Sequence, residues 1–256
     1  MMQKIILIGG GSGISPLLAE LSKRKDVEVS AIVTVFDNGG SSGLLRQQFG
    51  IPAVGDFRKC VSATAGLIAE FFEKRNGKHA FGNLILADLI RENSLQEAFG
   101  IFADFAEARV LPVSFSNSQL VGKLESGEEI RGEEKFDHPP KKFAKQKITK
   151  ISLQPKASLN PKVAKLLQQA DKIVVGPGSL FGSLLVHFEV SDFRQAFQKS
   201  SAKKILVRNS TSEFGCRGEN SAEIQKRFGV MFDEVLLPQK SKRWNNRQLV
   251  QMITAI

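Results

Sequence analysis

The chain has 256 residues, of which 42% are hydrophobic and 24% are charged. This length can bury a large core, and one elaborated α/β domain over residues 1–256 is the simplest interpretation. The 36 lysine and arginine residues outnumber 26 acidic ones, and the net charge of +10 is typical of a soluble basic surface; the alternative is a preference for anionic ligands or surfaces. No nucleic-acid motif accompanies this charge, so we expect no specific nucleic-acid partner.

The cysteine content and the apolar runs predict a cytoplasmic protein without membrane insertion. Cys60 and Cys216 are far apart in the chain and fit no metal or redox spacing, which is typical of a reducing compartment. The first apolar run, Ile5 to Ile8, is too short for a signal peptide or a bilayer span.

The first forty residues predict a βαβ unit. Lys4 to Ile8 is an apolar strand, and Ile14 to Lys23 has the apolar spacing of a helix. Val27 to Phe36 is rich in β-branched residues and predicts a second strand. Strand, glycine turn, helix and strand normally form a right-handed crossover in a parallel sheet. Helices are predicted next over Asp56 to Lys74, Asn83 to Arg91 and Ser94 to Phe105.

The middle of the chain has a different pattern. Short alternating runs between Arg109 and Phe136 predict a β-hairpin or meander, and we place a β insertion at about 110–155. Asp137 to Lys142 is predicted to be an exposed loop. The α/β pattern then returns, with these predicted elements: a helix from Asn160 to Ala170 and strands over Lys172 to Val175, Lys204 to Arg208 and Glu234 to Leu237. The fold class is therefore an α/β, Rossmann-like three-layer sandwich with a mainly parallel sheet.

The strongest local signal for function is the glycine turn at residues 9–13, which includes Gly10, Gly11, Ser12 and Gly13. A glycine turn between a buried strand and a helix brings backbone N–H groups and the helix dipole close to an anion. Pro16 stands where the dinucleotide fingerprint has its third glycine, and no Walker lysine follows. Phosphate binding is favoured, although a tight connector would need the same small residues.

Three further segments follow predicted strands or begin helices. Asp37 to Gly43 adds a carboxylate and a Gly/Ser loop at the end of the second strand, where open α/β sheets bind ligands. Asp56 could cap a helix or take part in catalysis, and Arg58 and Lys59 would then face an anion from the first turn. Gly176 to Ser183 repeats the first glycine turn, and Asn209, Ser210 and Thr211 lie at a further strand end.

The remaining reactive side chains form no familiar catalytic set. His79, His138 and His187 lack the spacing of metal ligands, and no Ser/His/Asp or Cys/His arrangement is evident. We therefore expect no hydrolysis by an activated nucleophile.

The order of these motifs resembles the YvcK/CofD-like family, and is closest to its bacterial branch, the gluconeogenesis factors. The segments that carry this resemblance are residues 9–13, 34–46, 52–58, 81–84 and 176–180, and the resemblance extends from about residue 3 to 211. The resemblance implies a Rossmann-like fold that binds UDP-sugars, UDP-N-acetylglucosamine in particular. It also implies roles in carbon-source adaptation, cell shape and peptidoglycan balance, with protein partners in cell-wall regulation and a homo-oligomer as further expectations.

Two departures from the family pattern bear on chemistry. Family members have two aspartates where this chain has Asp37 and Asn38, and the lost carboxylate weakens attraction for Mg²⁺. The stretch after Thr211 is also shortened, and Arg243-Trp244-Asn245 resembles an Arg-His-Asn near the family's end, where an arginine approaches the UDP moiety.

Together the motifs and the resemblance predict one ligand site, with Asp37 as the candidate catalytic residue and, if Mg²⁺ is used, its ligand. The expected binding residues are Gly10, Gly11, Ser12, Gly13, Asn38, Gly39, Gly40, Ser41, Ser42, Asp56, Arg58, Lys59, Asn83, Gly176, Gly178, Ser179, Leu180, Ser183, Asn209 and Arg243. No cofactor is certain, and Mg²⁺ is the candidate.

Three functions compete on this basis. The leading hypothesis is a regulatory protein that binds a UDP-sugar. The alternative is a CofD-type transferase, which resembles this chain and moves a 2-phospholactyl group from a nucleoside-diphosphate-activated donor to a deazaflavin precursor with Mg²⁺. A nicotinamide-dependent oxidoreductase is disfavoured because Pro16 replaces the third fingerprint glycine.

Overall fold

The computed structural model describes residues 2–209, 214–216, 219–238 and 244–256. Its described residues form a central sheet of six parallel strands, in the order β11-β10-β9-β1-β2-β5. The strands are β1 (Gln3–Gly9), β2 (Val27–Val33), β5 (Arg109–Pro112), β9 (Lys172–Val175), β10 (Lys203–Val207) and β11 (Glu234–Leu236). β1 and β9 are the central pair, and they are almost entirely buried because layers cover both sheet faces.

Helices cover both faces of the sheet. They are α1 (Gly11–Ser22), α2 (Gly40–Phe49), α3 (Gly55–Ser62), α4 (Ala69–Glu73), α5 (Phe81–Glu92), α6 (Leu95–Ala103), α7 (Glu134–Asp137), α8 (Pro161–Gln168), α9 (Phe193–Lys199), α10 (Ser221–Phe228) and α11 (Asn246–Ala255). Helix α1 packs against α3 and α11, and α8 packs against α9. Because parallel crossovers are right-handed, the helices after β1 and those after β9 cover opposite faces, which gives the expected three layers.

A small antiparallel sheet lies between β5 and α8 in the chain. It consists of β6 (Gln119–Leu124), β7 (Glu129–Arg131) and β8 (Ile148–Gln154), in the order β7-β6-β8. Its strands fall within the predicted insertion at about 110–155. The start of the predicted meander differs, because Arg109–Pro112 joins the central sheet beside β2. A short hairpin lies before α5, and each of its strands, β3 (Arg75–Asn76) and β4 (His79–Ala80), has two residues.

The predicted helix from Asp56 to Lys74 is divided in two. α3 ends at Ser62, a 3-10 turn spans Gly66–Ile68, and α4 follows. Gly66 has φ +55°, a left-handed conformation that an α-helix does not contain. The break lets Phe72 turn into the core, where its ring lies 4.8 Å from that of Phe102.

Candidate functional site

A cleft of about 660 Å³ opens at the carboxyl ends of the central strands. It is lined by Gly10, Ser12, Gly13, Pro16, Asp37, Asp56, Lys59, Glu133, Asp137, Pro177, Gly178, Ser179, Ser183, Asn209, Trp244 and Asn246. The chain leaves β1 towards β2 on one side, and β9 continues to β10 on the other, so strand order reverses between β1 and β9. Open α/β sheets bind ligands at this position.

The first glycine turn joins β1 to α1. Gly10 is the N-cap residue of α1, no side chain caps this helix, and its first turn contains no acid. The free N–H groups and the dipole of such a helix start favour an anion. Glycine is required here by packing, because a Cβ on Gly13 would overlap the Pro177 carbonyl oxygen and one on Gly11 would lie 2.6 Å from the Asp56 carbonyl oxygen.

The second glycine turn follows β9 and packs against the first. Gly176 has φ +94°, and its N–H donates to the Ile8 carbonyl across the sheet at 2.8 Å. The hydroxyls of Ser179 and Ser183 lie 3.2 Å apart on this turn. The Asn209 Nδ2 group donates to the Gly178 carbonyl at 2.9 Å. The two turns therefore form one polar floor across the ends of β1, β9 and β10.

Lys59 supplies the positive side chain among the described residues that line the cleft. Its Nζ donates to the Ser12 hydroxyl at 2.7 Å and to Asp56 Oδ1 at 3.3 Å. The side chain is 35% exposed, so the ammonium group remains accessible to a ligand. An ammonium beside an uncapped helix start is a suitable arrangement for a phosphate.

Carboxyl groups line the cleft beside the glycine turns, and Glu133 lies against Gly182. Asp37 shares a hydrogen bond with Glu133, and its Oδ1 accepts from the Gly39 N–H at 2.7 Å. Burial, together with the charges of Asp37 and Asp137, raises the pKa of Glu133 to about 9. Burial and the charge of Asp56 raise the pKa of Asp37, and burial raises that of Asp137. The raised pKa values of both groups favour one proton shared between Glu133 and Asp37 at neutral pH.

The carboxyl groups fit a Mg²⁺ ion only in part. No three His, Cys, Asp or Glu side chains are arranged around a common metal position in the part of the chain that the structure describes. Mg²⁺ often takes only one or two carboxylates and completes its shell with phosphate oxygens and water. The adjacent carboxyl groups of Asp37 and Glu133 meet that smaller requirement, with deprotonation of Glu133 on binding.

Most of the Asp37 to Gly43 segment faces away from this cleft. The Asn38 side chain accepts from the Glu134 N–H at 2.9 Å and lies against Gly132, so it connects the central fold to the insertion. Gly39 is the N-cap residue of α2 and Gly40 is its first residue, with φ +46°. Gly40 and Ser41 line a second depression beside the β3–β4 hairpin.

Ser41, Ser42, Arg58 and Asn83 are buried structural side chains. Asn83 donates to the Ser41 hydroxyl at 2.9 Å, and Gly55 N–H donates to the Ser42 hydroxyl at 3.0 Å. Arg58 Nε donates to Asn83 Oδ1 at 3.1 Å, and its guanidinium pairs with Glu73. Arg58 is only 4% exposed and is absent from the lining of the cleft, unlike its neighbour Lys59.

The remaining predicted residues lie in different parts of the structure. Leu180 is buried at the start of a π-helical turn, Leu180–Leu184, which carries Ser183 into the cleft. Asp56 lines the cleft from the first turn of α3, whose N-cap residue is Val54. Arg243, Ser210 and Thr211 lie outside the described residues.

Glu133 and Asp137 are the lining residues that the sequence motifs did not indicate. Both lie near α7 in the insertion, almost one hundred residues after Asp37. Asp137 was expected in an exposed loop; it is exposed, but it is the last residue of α7 and lines the cleft. Their only sequence signal is a short acidic cluster after a glycine, which predicts no particular chemistry.

Comparisons with known proteins show the family and the fold of this chain. A family profile described as "2-phospho-L-lactate transferase CofD" matches residues 5–249. A protein of Thermotoga maritima named "Putative gluconeogenesis factor" is 36% identical over 223 residues, covering 83% of this chain and 69% of that protein. The "Gluconeogenesis factor" of Bacillus subtilis is 32% identical over 226 residues, with the same coverage.

A similar protein of Nostoc sp., also named "Putative gluconeogenesis factor", is 37% identical over 258 residues, but this chain spans only 55% of its length. A crystal structure of a UPF0052-family protein from Bacillus halodurans superposes with a TM-score of 0.83 at 31% identity, covering 93% of this chain and 82% of that chain. The fold is that of an α/β protein with a polar cleft at the strand ends. The chain belongs to the CofD-like family, whose bacterial members include the gluconeogenesis factors.

None of the helices among the described residues combines the length and the apolar character needed to cross a bilayer.

Proposed function

We propose that this chain binds a nucleotide-sugar, UDP-N-acetylglucosamine in particular, and regulates carbon metabolism, cell shape and peptidoglycan balance. The observation that carries the proposal is the cleft where two glycine turns and Lys59 meet at the reversal of strand order. These groups are suited to a diphosphate, and the volume of about 660 Å³ lies within the usual range for small-molecule sites.

The regulatory part of the proposal rests on the family and on the chemistry of the lining. Among the described lining residues there is no serine, cysteine or threonine paired with a histidine, as an activated nucleophile would require. A binding protein needs only the anion site and the surrounding hydrogen-bonding groups. Cytoplasmic location, protein partners in cell-wall regulation and a homo-oligomer belong to the same proposal.

Calorimetric titration with UDP-N-acetylglucosamine tests the binding. We expect measurable heat and a thermal shift, and we expect Lys59→Met to weaken binding about 10- to 100-fold because a charged hydrogen bond contributes roughly 1.5–3 kcal/mol. Lys165→Met is the matched control, since this lysine is exposed and absent from the cleft lining. No heat and no thermal shift at millimolar ligand would refute the proposal.

A second candidate function, the CofD-type transfer of a 2-phospholactyl group to a deazaflavin precursor, is favoured by the Asp37–Glu133 pair. Bound Mg²⁺ would supply a positive charge that stabilises charge developing on the transferred phosphoryl group. Asp37 and Glu133 would hold the ion, and Lys59 would orient the donor phosphates. This candidate predicts product formation that requires Mg²⁺ and is removed by Asp37→Asn. Absence of product with activated phospholactate and a deazaflavin acceptor would exclude it.

A further inference from the structure

Four large apolar side chains are exposed on the 3-10 turn before α4, on α4 itself and around the end of α6. They are Leu67, Phe71, Ile101 and Phe105, and we call them the apolar patch. Leu67 is fully exposed, and the other three are 43–44% exposed. Leu67 and Phe71 are four residues apart in the chain, as are Ile101 and Phe105, so each pair is separated by about one helical turn.

Two contacts bring the two halves of the apolar patch together. The Glu107 N–H donates to the Thr64 carbonyl at 3.0 Å, which places the 3-10 turn beside the segment after α6. Buried Phe72 joins the aromatic members, because its ring centroid lies 6.5 Å from that of Phe71 and 5.3 Å from that of Phe105. The four side chains therefore share one surface. A contiguous apolar surface, unlike a single exposed side chain, marks a site of interaction.

The charged side chains beside the apolar patch differ between its two ends. Asp104 and Glu107 lie at the α6 end, and Lys74 follows the last residue of α4. All three are exposed, and none of them forms an ion pair with another described residue. Glu73, the acid next to Lys74, is already paired with Arg58.

The two remaining exposed charges at the α4 end are Glu70 and Arg75, one of each sign. They leave the net charge of that end positive, because Lys74 has no acid of its own. The apolar patch is therefore negative at one end and positive at the other.

From this polarity we infer that a second copy of the chain covers the apolar patch in a twofold homodimer. In a twofold interface each surface meets its own copy, so a patch with opposite charges at its ends is complementary to itself. An axis through the middle of the patch brings Lys74 of one protomer towards the partner's Asp104 and Glu107. The apolar side chains of the two copies then face each other between these charges. A partner of uniform charge would match only one end of the patch.

The inference rests on the homo-oligomer of the proposed function and gives that oligomer a location. It places the interface outside the nucleotide-sugar site, because none of the four patch residues lines the cleft. Dimerisation and ligand binding are therefore measured separately, and either can fail without the other.

Sedimentation velocity of the full chain between about 1 and 100 µM measures the dimer. We expect Leu67→Ser to weaken dimerisation at least about tenfold, because both protomers lose the burial of a leucine side chain. The fully exposed Leu67 adds little to the fold of one protomer, so thermal unfolding of the monomer should be unchanged. Met231→Ser is the matched control, since this apolar side chain is 85% exposed and lies outside the apolar patch.

Exchanged charges test the twofold arrangement. We expect Lys74→Glu and Glu107→Lys each to weaken dimerisation roughly 2- to 20-fold, because each change places like charges opposite each other at two positions of the interface. The double variant, with both changes, restores opposite charges across the axis. It should therefore dimerise within about threefold of the wild type.

Three results would overturn the inference. The first is a wild-type chain that stays monomeric at every concentration, and the second is a dimer that Leu67→Ser and Met231→Ser affect equally. The third is a double charge variant that dimerises no better than its two parents. Calorimetry with UDP-N-acetylglucosamine on the same samples keeps the proposed function separate. Heat from a monomeric wild type would overturn the dimer alone, and a dimer without heat would refute ligand binding and uphold the interface.

Discussion

Glu133 and Asp37 come from segments almost one hundred residues apart and share a hydrogen bond in the cleft. Because burial and neighbouring carboxylates raise the pKa of Glu133 to about 9, the pair holds one proton at neutral pH. A protonated carboxyl group lowers the negative charge that a ligand phosphate meets. Cation binding would displace this proton, so metal affinity would increase with pH.

The protonation of Glu133 predicts a pH-dependent stability. Its pKa is raised from 4.5 in the unfolded chain to about 9 in the fold, so stability is full below pH 4.5 and is lost as pH rises through 9. We expect Glu133→Gln, which stays neutral, to gain up to about 4 kcal/mol relative to the wild type between pH 5.5 and about 8.5. Urea unfolding in EDTA measures this difference. A constant difference across that range would show that Glu133 is ionised in the fold.

Arg58 is a cation of the core, whereas its neighbour Lys59 lines the cleft. Its guanidinium is buried, bonds to Asn83 and pairs with Glu73. We expect Arg58→Met to reduce the free energy of unfolding by about 2 kcal/mol, since Asn83 Oδ1 loses its donor in the interior. The affinity of the folded variant for UDP-N-acetylglucosamine should stay within about twofold of the wild type. Unchanged stability with a tenfold loss of affinity would reverse this assignment.

The sequence motifs predicted which segments approach the cleft better than which side chains face it. Residues next to each other in a motif point in different directions, and Lys59 lines the cleft while Arg58 lies in the core. Asp37 and Asn38 also point in different directions, because the Asn38 side chain forms a hydrogen bond to the insertion. Such choices depend on tertiary partners, Glu73 and Glu134 in these cases, that no local pattern reveals.

At the scale of elements, the site depends on close contact between two glycine turns. Gly13 on α1 lies against Pro177 of the turn after β9, and a side chain there has no space. The turns belong to neighbouring strands, because β1 pairs with β9 in parallel register. Backbone contact of this kind positions the N–H groups of the cleft without any side chain.

A pair of glycine substitutions tests this contact. We expect Gly13→Ala to reduce the free energy of unfolding by about 2 kcal/mol or more and to weaken ligand binding, because Cβ would displace the Pro177 carbonyl. Gly100→Ala is the matched control: this glycine lies within α6 with nothing within 4 Å of its Cβ position. It should gain roughly 0.5–1 kcal/mol and bind normally. Urea unfolding and calorimetry would contradict the contact model if both variants behaved alike.

The elements with long apolar runs were predictable from sequence, and those determined by a few residues were not. The β1–α1–β2 unit is confirmed because a buried strand, a glycine turn and a periodic helix leave one pattern. Arg109–Pro112 was assigned to the insertion because four residues show no clear period. Its place beside β2 depends on sheet pairing far along the chain.

At the scale of the whole molecule, the insertion completes the cleft that the central sheet begins. The sheet supplies the two glycine turns, and the insertion supplies Glu133 and Asp137. The bond from Asn38 to Glu134 holds the two parts in register beside Asp37. Asn38 therefore has a structural role as the side chain that connects the insertion, independent of metal binding.

The global stability of the fold should also respond to acid through His187. This imidazole is fully buried, with its ring 5.8 Å from that of Phe193. Burial lowers its pKa from 6.5 to about 4. His187 is therefore protonated below pH 6.5 in the unfolded chain but only below about pH 4 in the native chain. The contribution of neutral His187 to the free energy of unfolding is complete above pH 6.5. It falls by up to about 3 kcal/mol as the pH drops from 6.5 to about 4.

A variant isolates this effect from the carboxyl groups, whose raised pKa values act in the opposite direction. We expect His187→Leu, of similar volume, to lack the loss of stability that the wild type shows between pH 6.5 and about 4. The exposed His138 provides the control, and His138→Leu should keep the wild-type slope. Urea unfolding at several pH values measures all three proteins. If the wild type and His187→Leu had parallel profiles, His187 would be protonated in the native state, and its burial would not control acid stability.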